Sequence, residues 1–356
     1  MKTVISKTLG AAVVAGASLG AHAEGVSFYG LLDAGYATTS ISGSTTATTT
    51  EFVTGGYAPN FIGTTGSKDL GKGLTAGFNL EQGFLLNSPS SGSSRFNFGS
   101  GDALFNRQAN LFIKGGFGEV KAGTQGNIAF DSVLLGDARF GSDFGSSLAA
   151  IVIDGGMSTA DSGTLAYTSP TMYGLTAKYQ YIPQDNVPSS SKSTGTRGGT
   201  RASLSYDAGP FKASLAAYST DKVDETVTRK GTVAAATYKI GPVDLKALYT
   251  MQKTATYDSL KTIGVGGAYF VTADLTLDFG VFKTTDSTTD YQNLATGVGA
   301  QYALAKGVTA YFQYANVKNT GATSVAYNFL GDTQAGFFIT SGQTASTYNV
   351  GMLYSF

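Results

Sequence analysis

Apolar and polar side chains alternate along much of the chain. Leu74, Ala76, Phe78 and Leu80 are interleaved with Thr75, Gly77, Asn79 and Glu81; Leu175, Ala177, Tyr179 and Tyr181 with Thr176, Lys178 and Gln180; Leu275, Leu277, Phe279 and Val281 with Thr276, Asp278 and Gly280. A period of two sends successive side chains to opposite faces of an extended strand, so each segment predicts a β-strand with one greasy face and one polar or very small face. The pattern recurs from residue 26 to residue 356. Beyond residue 23 the longest clean apolar run, 148–153, is far shorter than the ~20 residues of a membrane-spanning helix.

The connections between these segments alternate between two lengths. Short turns are read at 70–73, 115–118, 170–174, 207–210, 240–242, 271–274 and 305–307; longer stretches rich in Gly, Ser, Thr and Asn are read at 38–56, 87–101, 126–162, 182–198, 219–230, 252–260, 284–290 and 317–343. Seven turns and eight loops join sixteen strands, leaving about ten residues for each, the length of a tilted strand that crosses a bilayer. Hydrocarbon offers no partner to an unpaired N–H or C=O, so such strands must close into a ring. The prediction is an all-β fold, a 16-stranded antiparallel transmembrane β-barrel filling 24–356 as a single domain. The 20 Tyr and 22 Phe suit girdles at the two membrane interfaces, where a tyrosine ring sits in lipid and its hydroxyl reaches the headgroups.

Composition then removes most chemistry. Lys2 and Lys7 precede an apolar stretch at 9–21 and the tripeptide Ala21-His22-Ala23, the pattern of a signal peptide over 1–23 cleaved after Ala23. His22 is the one histidine and cysteine is absent, so the mature chain is predicted to have no Ser-His-Asp triad, no Cys-His pair and no imidazole or thiolate metal site. No enzyme activity, metal or other cofactor is expected. The 24 basic and 24 acidic residues balance, which argues against a nucleic-acid partner. Gly264-Val265-Gly266-Gly267 lacks the strand, loop and helix of a nucleotide site and reads as barrel wall.

Tyr348, Val350, Met352, Tyr354 and Phe356 share one parity of the last strand, and here the chain resembles the trimeric general porins of Gram-negative outer membranes, whose barrels end on alternating aromatics. It is most similar to their β-proteobacterial branch, through Val26-Ser27-Phe28-Tyr29-Gly30-Leu31-Leu32-Asp33-Ala34-Gly35, Gly66-Ser67-Lys68-Asp69-Leu70-Gly71-Lys72-Gly73-Leu74, Leu80-Glu81-Gln82-Gly83-Phe84, Phe105-Asn106-Arg107-Gln108-Ala109 and Tyr167-Thr168-Ser169-Pro170. The resemblance implies an outer-membrane channel for passive diffusion of small hydrophilic solutes and ions. The alternative is a structural or adhesive outer-membrane barrel with an occluded pore. Implied partners are two further copies in a homotrimer, outer-membrane lipid and lipopolysaccharide, and the barrel assembly machinery, which would read Tyr354 and Phe356 as its signal.

The resemblance also implies that the third loop, about 126–162, folds into the lumen as a constriction. Asp143-Phe144-Gly145 matches the family's acid-Phe-Gly there, with Asp131, Asp137 and Asp154 as further carboxylates and Arg139 where a second acid is expected. Arg107 matches the arginine on the facing wall, although simple alternation puts it on the side of Leu111 and Ile113, toward lipid, unless a bulge shifts the register. Asp33, Glu81, Lys178, Arg201, Lys212, Asp244 and Lys246 lie opposite apolar neighbours and read as lumen lining. Basic residues that the family carries are replaced at Phe61, Thr65 and Thr124, so weak ion selectivity is expected. Gln108 and Asn110 are read as outward-facing, a polar patch that lipid would reject and a neighbouring subunit would accept.

Overall fold

The computed structural model describes residues 25–44, 48–87, 104–152, 156–183, 196–222, 227–328 and 338–356. The first strands are β1 (Val26–Ile41), β2 (Thr49–Thr54), β3 (Phe61–Gly71), β4 (Leu74–Gly83), β5 (Gln108–Gly115) and β6 (Gly118–Gly126). Two short helices follow, α1 (Ile128–Gly136) and α2 (Leu148–Val152). The wall resumes with β7 (Ala160–Thr168), β8 (Leu175–Ile182), β9 (Thr196–Ala208), β10 (Phe211–Lys222), β11 (Arg229–Ile240) and β12 (Val243–Lys253). It continues through β13 (Leu260–Phe270), β14 (Leu275–Asp286), β15 (Tyr291–Ala305) and β16 (Val308–Asn319). β17 (Val325–Ala326) and β18 (Phe338–Ile339) form a two-stranded sheet of their own packed on the inner wall, and β19 (Thr344–Ser355) completes the wall.

Neighbouring strands pair antiparallel around the whole wall, and β19 returns to β1 with a register from Leu31 opposite Ser355 to Ile41 opposite Ala345. The ring is closed and leaves no edge to solvate. β2 and β3 occupy one position in it: β2 pairs with residues 34–39 of β1, and β3 with residues 26–31. The wall therefore has sixteen strand positions, one of them interrupted at 55–60.

That interruption corrects the expected loop at 38–56. Strand β1 runs on to Ile41, and β2 lies inside the supposed loop. Gly55 then adopts a φ of +77°, open to glycine without steric cost, and the chain dips into the barrel. Asp33 holds the dip: its carboxylate accepts the amides of Tyr57 and Ala58, both at 2.7 Å, and the Tyr311 hydroxyl at 2.7 Å.

Outward residues are apolar and exposed, among them Leu277, Phe279 and Val281, while Thr276, Asp278 and Phe282 beside them are buried. Lipid selects the outer face and the interior the other. Beside the short turns the outward set is aromatic: Phe28, Tyr206, Phe211, Tyr238, Tyr269, Tyr302 and Tyr354 are all exposed. Phe356 joins this belt, its ring 6.2 Å from that of Phe28 and 6.0 Å from that of Tyr354, and its backbone exchanges hydrogen bonds with Gly30.

Gln108 and Asn110 face inward, which corrects their reading as an outward patch. Gln108 donates to Glu81 at 2.7 Å, and Asn110 receives Asn79 at 3.0 Å and donates to the Thr124 carbonyl at 2.8 Å. The outward set of β5 is Ala109, Leu111 and Ile113, one residue out of phase with that reading.

Candidate functional site

Between β6 and β7 the chain enters the barrel and lies on the inner wall. Asn127 starts α1 by accepting the Ala129 amide at 2.8 Å, and Gln180 of β8 accepts the Ile128 amide at 3.2 Å. At the other end Thr237 of β11 donates to the Leu135 carbonyl at 3.0 Å, and the Lys246 ammonium of β12 to the carbonyls of Asp137 and Leu134 at 3.2 and 3.4 Å. A cation among the last carbonyls of a helix complements its dipole. Ala129, Phe130, Val133, Leu148, Ile151 and Met157 pack on Ala216, Tyr218, Val233, Ala235 and Leu248 of the wall.

Past α1, Asp137 folds the loop on itself, accepting the amides of Arg139 at 2.7 Å and Ser147 at 2.9 Å. Arg139 reaches across to β14–β16, where it pairs with Asp278 and donates to Gln313 at 2.7 Å. Its side chain fills a trough made by missing side chains. A Cβ on Gly297 would lie 2.7 Å from Arg139 Nε, and one on Gly299 2.6 Å from Nη1. Burial draws the guanidinium down to about 10, with Tyr57 and Asp137 acting against it, so it keeps its charge at neutral pH. Asp143 then donates its amide to Gly56 at 3.0 Å, and Phe144 bridges to Asn328 of the last loop.

The loop thus spans the inner wall from β8 to the dip at 55–60, and its expected acids part company. Asp137 and Asp143 are 0% and 4% exposed. Asp131, on the face of α1 turned from the wall, has 55% of its side chain exposed and meets Lys178 of β8 at 3.0 Å. Asp154 lies outside the described residues, as do 1–24 with the expected signal peptide and most of the second loop.

Opposite stands a polar wall. Arg107 pairs with Glu81 at 3.2 Å and lies over the Phe61 ring at 4.5 Å, and the Tyr29 hydroxyl donates to Glu81 at 2.8 Å. Arg107 turns inward because it stands one residue ahead of β5, after Phe105 at φ 55°, so the alternation counted back from Leu111 does not reach it. Lys121 meets Glu119 at 3.2 Å, and Arg201, 1% exposed, meets Asp161 at 3.0 Å. Lys212 meets Asp207 at 2.8 Å beside a short turn, and Asp244 lies 4.0 Å from Lys239. Asp33 and Lys246 hold the backbone of the dip and the loop.

The structure thus joins Arg107 with Glu81 and Asp131 with Lys178, and draws Asp137, Arg139 and Asp143 into packing. Sequence reasoning missed Asp278, Gln313 and the dip residues Gly56, Tyr57 and Asn60. The available signals were Gly55-Gly56 with Pro59 shortly after, and the Gly280, Gly297 and Gly299 set around an inward Asp278.

The sequence model of a family described as Gram-negative porin matches residues 10–322. Over 190 residues the chain is 30% identical to the major outer membrane protein P.IB of Neisseria lactamica, covering 52% of this chain and 50% of that protein. The same protein of Neisseria gonorrhoeae is 30% identical over 197 residues, covering 54% and 51%; the chain spans about half the length of the curated relatives it matches. Among solved structures, the anion-selective porin from Comamonas acidovorans superposes with a TM-score of 0.79 at 19% identity, over 93% of this chain and 99% of that one. OmpT of Vibrio cholerae in its trimer form gives 0.65 at 15% identity, over 93% and 99%.

Proposed function

This chain belongs to the Gram-negative porin family, and from that premise we propose that it is an outer-membrane channel for passive diffusion of small hydrophilic solutes and ions. The observation that carries the reading is the division of the interior: a closed ring encloses one wall sealed by an inserted loop and another lined with ion pairs. Water fills a polar-walled passage, and a loop held along its depth narrows it without closing it.

Selectivity follows from pairing. Glu81, Glu119, Asp131 and Asp161 each have a cation within 3.2 Å, so the lumen presents dipoles rather than a field of one sign, and weak ion selectivity is the expectation. The passage is bounded by Arg107 and Glu81 on one side and by Asp131 and Lys178 with the loop on the other. The channel is a homotrimer in this reading, joined through the outer faces of β3–β6, where small residues such as Thr64, Gly66, Ala76, Ala109 and Ala122 allow close approach. Tyr354 and Phe356 serve in assembly, and lipid with lipopolysaccharide surrounds the remaining wall.

Reconstitution in a planar bilayer tests this. Stepwise ohmic currents with a reversal potential well short of the Nernst value for either ion are expected in a salt gradient. A folded but silent protein would leave the structural or adhesive barrel standing.

A further inference from the structure

The face that α1 turns from the wall is mostly apolar. Ala129, Ser132, Val133 and Gly136 point to the wall and are buried, which leaves Asp131, Leu134 and Leu135 on the opposite half of the helix; Leu134 and Leu135 pack by one flank on the core under the loop and keep the rest of their surface open. Residues at i, i+3 and i+4 share one helix face, so the charge and the two leucines form a single strip about one turn, ~5.4 Å, long. Phe140 extends it, partly exposed and covered on one side by the Lys246 ammonium 4.6 Å from its ring. Gly141 keeps it low: a Cβ there would come 2.7 Å from Leu134. At the charged end Asp131 and Lys178 offer an exposed acid and a partly buried base 3.0 Å apart.

A sugar has no use for this strip, since its hydroxyls would lose water against leucine without gaining partners. A molecule with a cation and an anion on one carbon and an apolar group about one helical turn away would match it end to end. Resting on the channel reading, we propose that Asp131, Lys178, Leu134, Leu135 and Phe140 form a subsite in the passage for small zwitterions with an apolar side group, the chemical class of aliphatic and aromatic α-amino acids. The ammonium is received by Asp131, the carboxylate by Lys178, and the side group by the leucines and Phe140. Occupancy is brief, because the pair is half in solvent and its attraction is screened.

The full-length protein in proteoliposomes tests this with leucine and asparagine, two zwitterions of similar size that differ in the polarity of the side group. At low solute concentration leucine is expected to cross roughly threefold faster than asparagine, the preference that partial removal of one side chain from water supports. In Leu134→Ser/Leu135→Ser the ratio is expected to fall to near one with KCl conductance retained. Lys178→Gln is expected to slow leucine several times more than it slows arabinose, a neutral solute that makes no use of the ammonium. Equal leucine and asparagine fluxes through wild-type protein that conducts KCl would overturn the subsite alone, whatever the folding of the variants. Absence of any KCl current would remove the channel and the subsite with it.

Discussion

The inner faces of β10–β12 and of β3–β6 are built from the same kind of strand and have opposite chemistry. Both arcs turn apolar residues outward, Leu215 and Leu245 on one, Phe78 and Leu111 on the other. Inward, the first arc carries Ala216, Tyr218, Val233, Ala235 and Leu248 under the inserted loop. The second carries Thr65, Asn79, Glu81, Gln108 and Asn110, linked to one another by side-chain hydrogen bonds. One inner face is an apolar core and the other a hydrogen-bonded polar network, with Glu81 and Asn110 buried in it, so the number of apolar faces on a strand reports what lies inside it rather than which membrane it crosses.

The severest way to break the contrast is to unlatch the loop. Arg139→Ala leaves Asp278 buried without its cation, a loss of about 3–5 kcal/mol. Expected are a lower thermal transition and a larger single-channel conductance, measured on the same preparation. Next, truncation on each arc sharpens it. Leu248→Ala is expected to cost about 2–5 kcal/mol through the cavity beneath α1, whereas Gln108→Ala, which removes a contact water can replace, should stay within about 1 kcal/mol; denaturant unfolding monitored by gel mobility compares the two.

Smaller effects concern charge. Glu81→Gln removes the carboxylate charge facing Arg107 and should move the reversal potential toward anions by a few millivolts, an order of shift expected where one fixed charge is removed in a narrow passage. Asp131→Asn should move it the same way by less, since the Asp131 side chain is 55% exposed and solvent screens its charge. Asp143→Asn should do less again, because that carboxylate lies between the loop and the wall, against a cavity lined by Phe282, Asn293, Ala295 and Val317, rather than on the passage. Smallest of all is Asp221→Asn, at the loop end of β10, screened within a Debye length of about 8 Å and expected to leave the potential unchanged. A larger shift from Asp143→Asn than from Asp131→Asn would reverse the ranking and place the field on the wrong part of the loop.

Strand number, turn positions and the outward face were legible because each depends on neighbours one or two residues apart. Leu277, Phe279 and Val281 announce lipid by themselves. The dip at 55–60 was not legible, since Gly55-Gly56 and Pro59 look like the end of a loop until Asp33 is placed beneath them. Nor was the phase of Gln108 and Asn110, because the ladder begins at Gln108 and the preceding residues follow no period. The role of Asp137 depends on how the loop folds back to Ser147, and those of Arg139 and Asp143 on Asp278 and Gly56, partners that only the closed barrel brings within reach. A carboxylate in a polar loop carries no mark that tells a pore charge from a backbone clasp.

The seam between β1 and β19 also sets the order of events during folding. Asp33 opposite Leu353 and Gly35 opposite Gly351 join positions more than 300 residues apart, and closing a flexible chain of that length costs on the order of 5 kcal/mol in entropy if nothing else is formed first. The ring cannot be sealed early. Hairpins such as β9–β10 and β11–β12, closed by short turns, form while the seam is still open, and until it shuts both margins of the growing sheet display unpaired amides and carbonyls. Unpaired margins are templates for another chain, so the seam's closure is the step that removes that hazard, and the Phe356 backbone bonds to Gly30 are among the contacts that complete it.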